Sequence, residues 1–234
     1  MIKYSLALLA TAAFLGAHEA HWDYDKHGPA HWGEFSETCA KGKEQSPIDI
    51  QNEKTKKLPA KYLLKLDEDR HTTAKVIDNG HSIKITPEQG GDLYIDGEKF
   101  HLLQFHYHGL SENTIDGKHS ALEMHMVHQN KDGKLAVIGV MYKEGKNNPV
   151  LDNILGNVGE TIRIDPIDIL PADTQRYYHW KGSLTTPPCS EDVEWFLMRT
   201  PVEASKDQIS AMRKYYDHNN RPVQPLNGRT VQNH

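Results

Sequence analysis

The chain has 234 residues, 25% of them charged and 37% hydrophobic, with a formal net charge of −5. That length and balance suit one globular domain of ordinary composition. The mild negative charge gives no reason to expect nucleic acid or an anionic membrane surface as a partner. No internal repeat and no low-complexity tract interrupts the chain.

Residues 1–17, MIKYSLALLATAAFLGA, differ from the rest. Lys3 supplies a positive start, and an apolar run from Leu6 to Leu15 follows. A helix of that length is too short for a hydrocarbon layer of ~30 Å, so no membrane span is expected. The segment reads as a secretory signal peptide cut near Ala17 or Ala20. A retained anchor or a buried N-terminal helix is the competing reading. Export implies a periplasmic or secreted protein whose mature domain is 21–234. Only two cysteines occur, Cys39 and Cys189. An even count in an exported chain suggests one disulfide, with two free thiols as the alternative.

Residues 21–50 are rich in Trp, His, Gly and Pro and show little periodicity, which predicts an irregular arm packed on the domain. From about residue 60 short strand-like runs alternate with turns. The runs are 74–77, 82–86, 93–95, 99–107, 121–129, 135–142 and 193–199. Asp78-Asn79-Gly80, Gln89-Gly90-Gly91, Asp96-Gly97 and Lys131-Asp132-Gly133 separate them. The 130–134 turn predicts a hairpin, with the strand at 121–129 antiparallel to the one at 135–142. Helical pattern is sparse, near 149–155 and over 206–216. These elements predict a mainly β (α+β), single-domain protein with a mostly antiparallel sheet and short peripheral helices.

The chemistry concentrates between Gln104 and His128. His106 and His108 are two apart, as are Glu123 and His125. Alternate residues of a strand share a face, so each pair looks one way, with the two histidines ~7 Å apart along the strand. If the strands are neighbours, His106, His108 and His125 converge from two rigid elements. Three neutral nitrogens with an open fourth position form the layout of a catalytic zinc site. Gln104 and Glu123 share faces with His106 and His125, and each can accept a ring N–H and fix the tautomer. The chain has 15 His, so chance pairs are expected. His128 falls on the opposite face from His125 and reads as structural. His21, His27, His31, His71 and His119 have no defensible ligand spacing.

Several separated motifs extend this pattern: Gly28-Pro29-Ala30-His31-Trp32, Gln45-Ser46-Pro47-Ile48, Asn79-Gly80-His81, Ser111-Glu112, Ser183-Leu184-Thr185-Thr186-Pro187-Pro188 and Asn220-Arg221-Pro222. With the histidine stretch they resemble the α-class carbonic anhydrases over nearly the whole chain after residue 20. The resemblance implies a large twisted sheet of about ten strands and zinc-dependent hydration of CO2 to bicarbonate by zinc hydroxide. It implies that Glu112 and Thr185 orient the hydroxide and that His81 relays the proton. Val127, Val137, Leu184, Val193 and Trp195 would wall the CO2 pocket. Tyr24 and Asn79 would join the water network, and Cys39 would pair with Cys189. It also implies cis peptides at Ser46-Pro47 and Pro187-Pro188, weak esterase activity, and inhibition by sulfonamides and small anions. A homodimer is compatible, since some bacterial relatives dimerise.

Three positions depart from the family pattern. Asn113 follows Glu112 where the family commonly has His. Gly109 follows His108 where many members carry Trp. Lys84 is expected at the cleft edge, where an ammonium disfavours protonation of His81. Two other functions stay open. One is a catalytically weak binding or structural relative on the same fold, against which all three His with Glu112 and Thr185 argue. The other is a zinc peptidase, but no H-E-x-x-H motif occurs.

Overall fold

The computed structural model describes residues 22–57, 64–66 and 71–234. The signal-peptide reading of 1–17 lies outside the described residues. The strands are β1 (Asp49–Ile50), β2 (Lys56–Lys57), β3 (Leu64–Leu66), β4 (Thr72–Asp78), β5 (Ile83–Pro87), β6 (Asp92–Ile95), β7 (Glu98–Gly109), β8 (Thr114–Ile115), β9 (Leu122–Asn130), β10 (Leu135–Glu144), β11 (Thr161–Ile164), β12 (Tyr177–Gly182), β13 (Val193–Met198), β14 (Val202–Ala204) and β15 (Gln232–Asn233). The α-helices are α1 (Trp32–Phe35), α2 (Glu37–Lys41), α3 (Pro149–Leu155) and α4 (Lys206–Tyr215).

Ten strands form one continuous path in the order β11-β4-β5-β7-β9-β10-β13-β12-β15-β2, with β3, β6 and β14 attached at its sides. Most pairings are antiparallel, but β10 runs parallel to both β13 and β14, and β15 runs parallel to β2. The β9–β10 hairpin forms as expected, with Val127 opposite Val137.

The sheet buries apolar side chains on both faces. One face carries Ala74, Ile85, Phe105, Met124, Ile138 and Phe196, covered by Leu151 and Ile154 of α3 and by Ile209 and Met212 of α4. The other carries Val127, Val137, Val193, Trp195 and Leu197 with Ile48 and Ile50 from the arm. The two helices start where their caps dictate. Asn148 accepts from Val150 and Leu151 ahead of α3, with Pro149 in the first turn, and Ser205 and Gln208 form a capping box on α4.

A bulge in β7 decides which way His106 and His108 face. The register against β9 shifts between Leu102 and Gln104, and Leu103 is 41% exposed there. Before the bulge Phe100 and Leu102 enter the large cluster; after it Phe105 and Tyr107 do. One extra residue thus changes the phase of the alternation and sends Gln104, His106 and His108 to the opposite face.

The arm is more regular than its composition predicts, since it holds α1, α2 and β1. The disulfide Cys39–Cys189 spans 150 residues of sequence and joins this arm to the loop carrying Thr185. Both Ser46-Pro47 and Pro187-Pro188 are cis. No helix among the described residues is long and apolar enough to cross a membrane.

Candidate active site

In the β7–β9 ladder His106 stands directly opposite His125, and His108 opposite Glu123. One ring nitrogen from each of His106, His108 and His125 lies within 4.8 Å of the other two. His108 and His125 are buried and His106 is half-buried, so His106 is the most accessible of the three.

The far nitrogen is hydrogen-bonded in two of the rings and lies beside a carboxylate in the third. His106 Nδ1 donates to Gln104 Oε1 at 2.9 Å, and His108 Nδ1 to the Asn219 carbonyl at 2.6 Å. His125 Nε2 lies 3.0 Å from Glu123 Oε1, though off the hydrogen-bonding direction. His106 and His108 therefore present Nε2 inward, and His125 presents Nδ1. Burial holds the pKa of all three rings below the ordinary histidine value. Neighbouring imidazoles add to this at His106 and His125, while the Asn219 carbonyl and Glu123 oppose it at His108. The rings are thus held neutral, as metal ligands must be.

The donor set fits a metal. His108 Nε2 and Glu112 Oε2 are buried, 3.4 Å apart and without hydrogen-bond partners. Such orphaned atoms are costly. A divalent cation among the three imidazoles satisfies the nitrogen and attracts the carboxylate. Nitrogen ligands of this number suit zinc, and imidazole also suits cobalt and copper.

Glu123 is a hub. It accepts the backbone N–H groups of Glu112 and Asn113, each at 2.8 Å, and the Asn113 side-chain amide at 2.7 Å. Asn113 Oδ1 in turn accepts the Ile48 N–H at 2.9 Å. The amide that departs from the family pattern thus donates with one end and accepts with the other. Glu112 Oε1 accepts the Arg221 N–H at 2.8 Å, and the buried Thr185 hydroxyl bonds the same carboxyl. Burial pushes the Glu112 pKa up to about 8, against the downward pull of Arg221 and Thr185. A cation at the histidines pulls it further down.

A cleft of about 220 Å³ opens over His106 and His108. Tyr24, Asn79, His81 and Lys84 border it, as do Trp22 and Thr186. The His81 ring stacks on Trp22, with centroids 3.9 Å apart and planes 14° from parallel. Asn79 Oδ1 accepts the N–H groups of His81 and Ser82, so its oxygen is committed to the turn that carries His81. Burial raises the Tyr24 pKa, and the charge of Glu112 adds to the rise. Val127, Val137, Val193 and Trp195 lie together in the smaller apolar cluster, and Trp195 packs edge-on against His125 at 4.8 Å. Leu184 is half-buried beside Thr185, outside that cluster. His128 points to the opposite side, buried, with its Nδ1 donating to the Met126 carbonyl.

Two contributors escaped the sequence reading. The buried Asn219 braces His108 with its carbonyl, and its side chain bonds Gly109 N, Tyr107 O and His81 O. Arg221 reaches Gln45, the Ser46 carbonyl and the Cys39 carbonyl from under Glu112. Arg221 belongs to the Asn220-Arg221-Pro222 motif and Asn219 only adjoins it, and neither spacing speaks of partners more than 100 residues away. Gly109 is also explained: a Cβ there would come within 2.1 Å of the Tyr216 carbonyl oxygen.

Known proteins resemble this chain in sequence and in fold. The sequence model of the eukaryotic-type carbonic anhydrase family matches residues 27–234. A carbonic anhydrase of Pectobacterium atrosepticum is 40% identical over 98% of each chain. The α-carbonic anhydrase of Thermovibrio ammonificans, solved in complex with the inhibitor sulfanilamide, superposes with a TM-score of 0.84 at 42% identity, covering 91% of this chain and 98% of that one. The Photobacterium profundum α-carbonic anhydrase gives 0.83 at 40% identity, covering 91% and 100%. The chain belongs to the α-class, eukaryotic-type carbonic anhydrase family, whose general reaction is the hydration of CO2.

Proposed function

We propose that the protein interconverts CO2 and bicarbonate with zinc held by His106, His108 and His125. The observation that carries this reading is the convergence of one nitrogen from each ring within 4.8 Å. When bound, zinc would supply a Lewis acid that lowers the pKa of water to about 7, a value taken from carbonic anhydrase itself. Three neutral imidazoles leave the cation's charge uncancelled, which a carboxylate ligand would not. Gln104 and Asn219 hold His106 and His108 in their metal-binding tautomers, and the Glu123 carboxyl stands beside the far nitrogen of His125.

Glu112, once ionised, can only accept, so the Thr185 hydroxyl donates to it. The Thr185 oxygen is then left as an acceptor, which selects a metal-site ligand that carries a proton. His81 stands at the cleft rim and takes the released proton toward solvent, as an imidazole side chain can do near neutral pH. Tyr24 and Asn79 border that route and order water along it. Val127, Val137, Val193 and Trp195, with Leu184, form the apolar wall against which CO2 rests.

The same reading gives weak ester hydrolysis and inhibition by sulfonamides and small anions, as in the sulfanilamide complex of the Thermovibrio ammonificans relative. The segment 1–17 directs export and the mature domain is 21–234. The Cys39–Cys189 bridge fits an oxidising periplasmic or extracellular setting. The test is removal of metal with a strong chelator followed by graded return of zinc. Hydration should vanish and then recover in proportion, saturating at one zinc per chain. Hydration that is indifferent to zinc would refute the reading.

A further inference from the structure

The β5–β7 ladder places Lys84 directly opposite His106. Its neighbours Ile83 and Ile85 are fully buried in the large apolar cluster on the other face. Alternation therefore sends the Lys84 side chain to the cleft side, where it lines the cavity with Asn79, His81, Gln104, His106 and Thr186. Among the residues lining the cleft it is the one with a permanent charge. Lys41, Lys99, Lys134, Lys143 and Lys181 all pair with carboxylates. Lys84, among the described residues, has no carboxylate within ion-pair distance.

The proposed reaction has a neutral substrate and a monoanionic product. A half-buried, unpaired cation inside a concave site concentrates positive potential there. We propose that Lys84 makes the outer cleft a seat for small monoanions, bicarbonate foremost, beside the three-histidine centre. The inference rests on the CO2-hydration reading and deepens it.

Lys84 cannot favour one direction of the reaction. The overall equilibrium fixes the ratio of the two kcat/KM values at any given pH. Its effect must fall on bound bicarbonate, and so on the bicarbonate KM and on inhibition by other anions. A tighter seat holds bicarbonate better and releases it more slowly.

The test is calorimetric titration of the zinc-loaded protein with thiocyanate, a monoanion, for wild type, Lys84→Gln and Lys84→Arg. At low ionic strength Lys84→Gln should weaken thiocyanate about five-fold, the size of effect expected of one charge at such a range. Lys84→Arg should retain wild-type affinity, and ~1 M ionic strength should close the gap. The KM for bicarbonate should rise in Lys84→Gln with the thiocyanate Kd. Equal thiocyanate affinity in wild type and Lys84→Gln at low ionic strength would overturn the proposal, as would a failure of wild type to bind thiocyanate. If wild type failed to hydrate CO2, the function would fall, while the titration would still read Lys84.

Discussion

His106 on β7 and His125 on β9 are direct cross-strand partners, while His108 lies one alternation further along β7 opposite Glu123. The three-histidine cluster is therefore a property of sheet register. A one-residue slip would send His125 to the apolar face and Met124 or Met126 to the metal side. The bulge at Leu103 sets the phase of β7, and the β9–β10 hairpin sets that of β9.

Gln104 braces His106 through one hydrogen bond of 2.9 Å. Gln104→Ala should speed zinc loss to a chelator by about 10- to 100-fold, the usual cost of losing such a partner. Gln104→Glu, which keeps an acceptor at the same place, should retain zinc. Chelator-competition kinetics read this without reference to activity.

His81 is held against Trp22 at the cleft rim. His81→Ala should slow CO2 turnover in weakly buffered solution, and added imidazole should restore it. Turnover in strong buffer should change far less, because buffer then carries the proton. Unchanged turnover at low buffer would remove His81 from proton transfer.

Glu194 links stability to pH through partners outside the three-histidine cluster. Burial alone would raise its pKa, but bonds from His179 at 2.8 Å and Lys134 at 3.0 Å outweigh burial and lower it to about 2. A depressed carboxyl stabilises the fold above its unfolded pKa, and that contribution fades as pH falls toward the folded value. The window here is about pH 4.5 down to about 2. Glu194→Gln should therefore lose on the order of 3 kcal/mol at most at neutral pH, and the gap to wild type should shrink below about pH 4. Denaturant unfolding at a series of pH values measures it.

Gly109 has no room for a side chain, since its Cβ would meet the Tyr216 carbonyl oxygen at 2.1 Å and Arg213 Cγ at 3.2 Å. The first of these is backbone and yields little. Gly109→Ala should destabilise by about 1–3 kcal/mol, the cost of overpacking. It should also loosen zinc, because Gly109 N–H bonds the side chain of the same Asn219 that braces His108.

Much of this was readable in the sequence because the informative features are local. The i, i+2 spacing on strands placed His106, His108 and His125 on one face, and Asn79-Gly80 announced the turn before His81. Strand β12 was missed because Tyr177–Trp180 and Gly182 are buried on both faces, which removes the alternation that marks a half-exposed strand. Strand β11 alternates, but over only four residues. The arm hid α1 and α2 because each is barely a turn long and makes no side-chain cap at its start. Asn219 and Arg221 act through partners brought near only by the fold, so no spacing along the chain could show them. Lys84 was expected at the cleft edge; its pairing with His106 needed the β5–β7 register.

The most direct test is stopped-flow CO2 hydration by the zinc-loaded protein, with His125→Ala alongside. Rapid hydration that falls by more than about 100-fold in His125→Ala, together with loss of bound zinc, is the predicted result. A protein that holds one zinc per chain at these three histidines and yet leaves CO2 hydration at the buffer rate would contradict it.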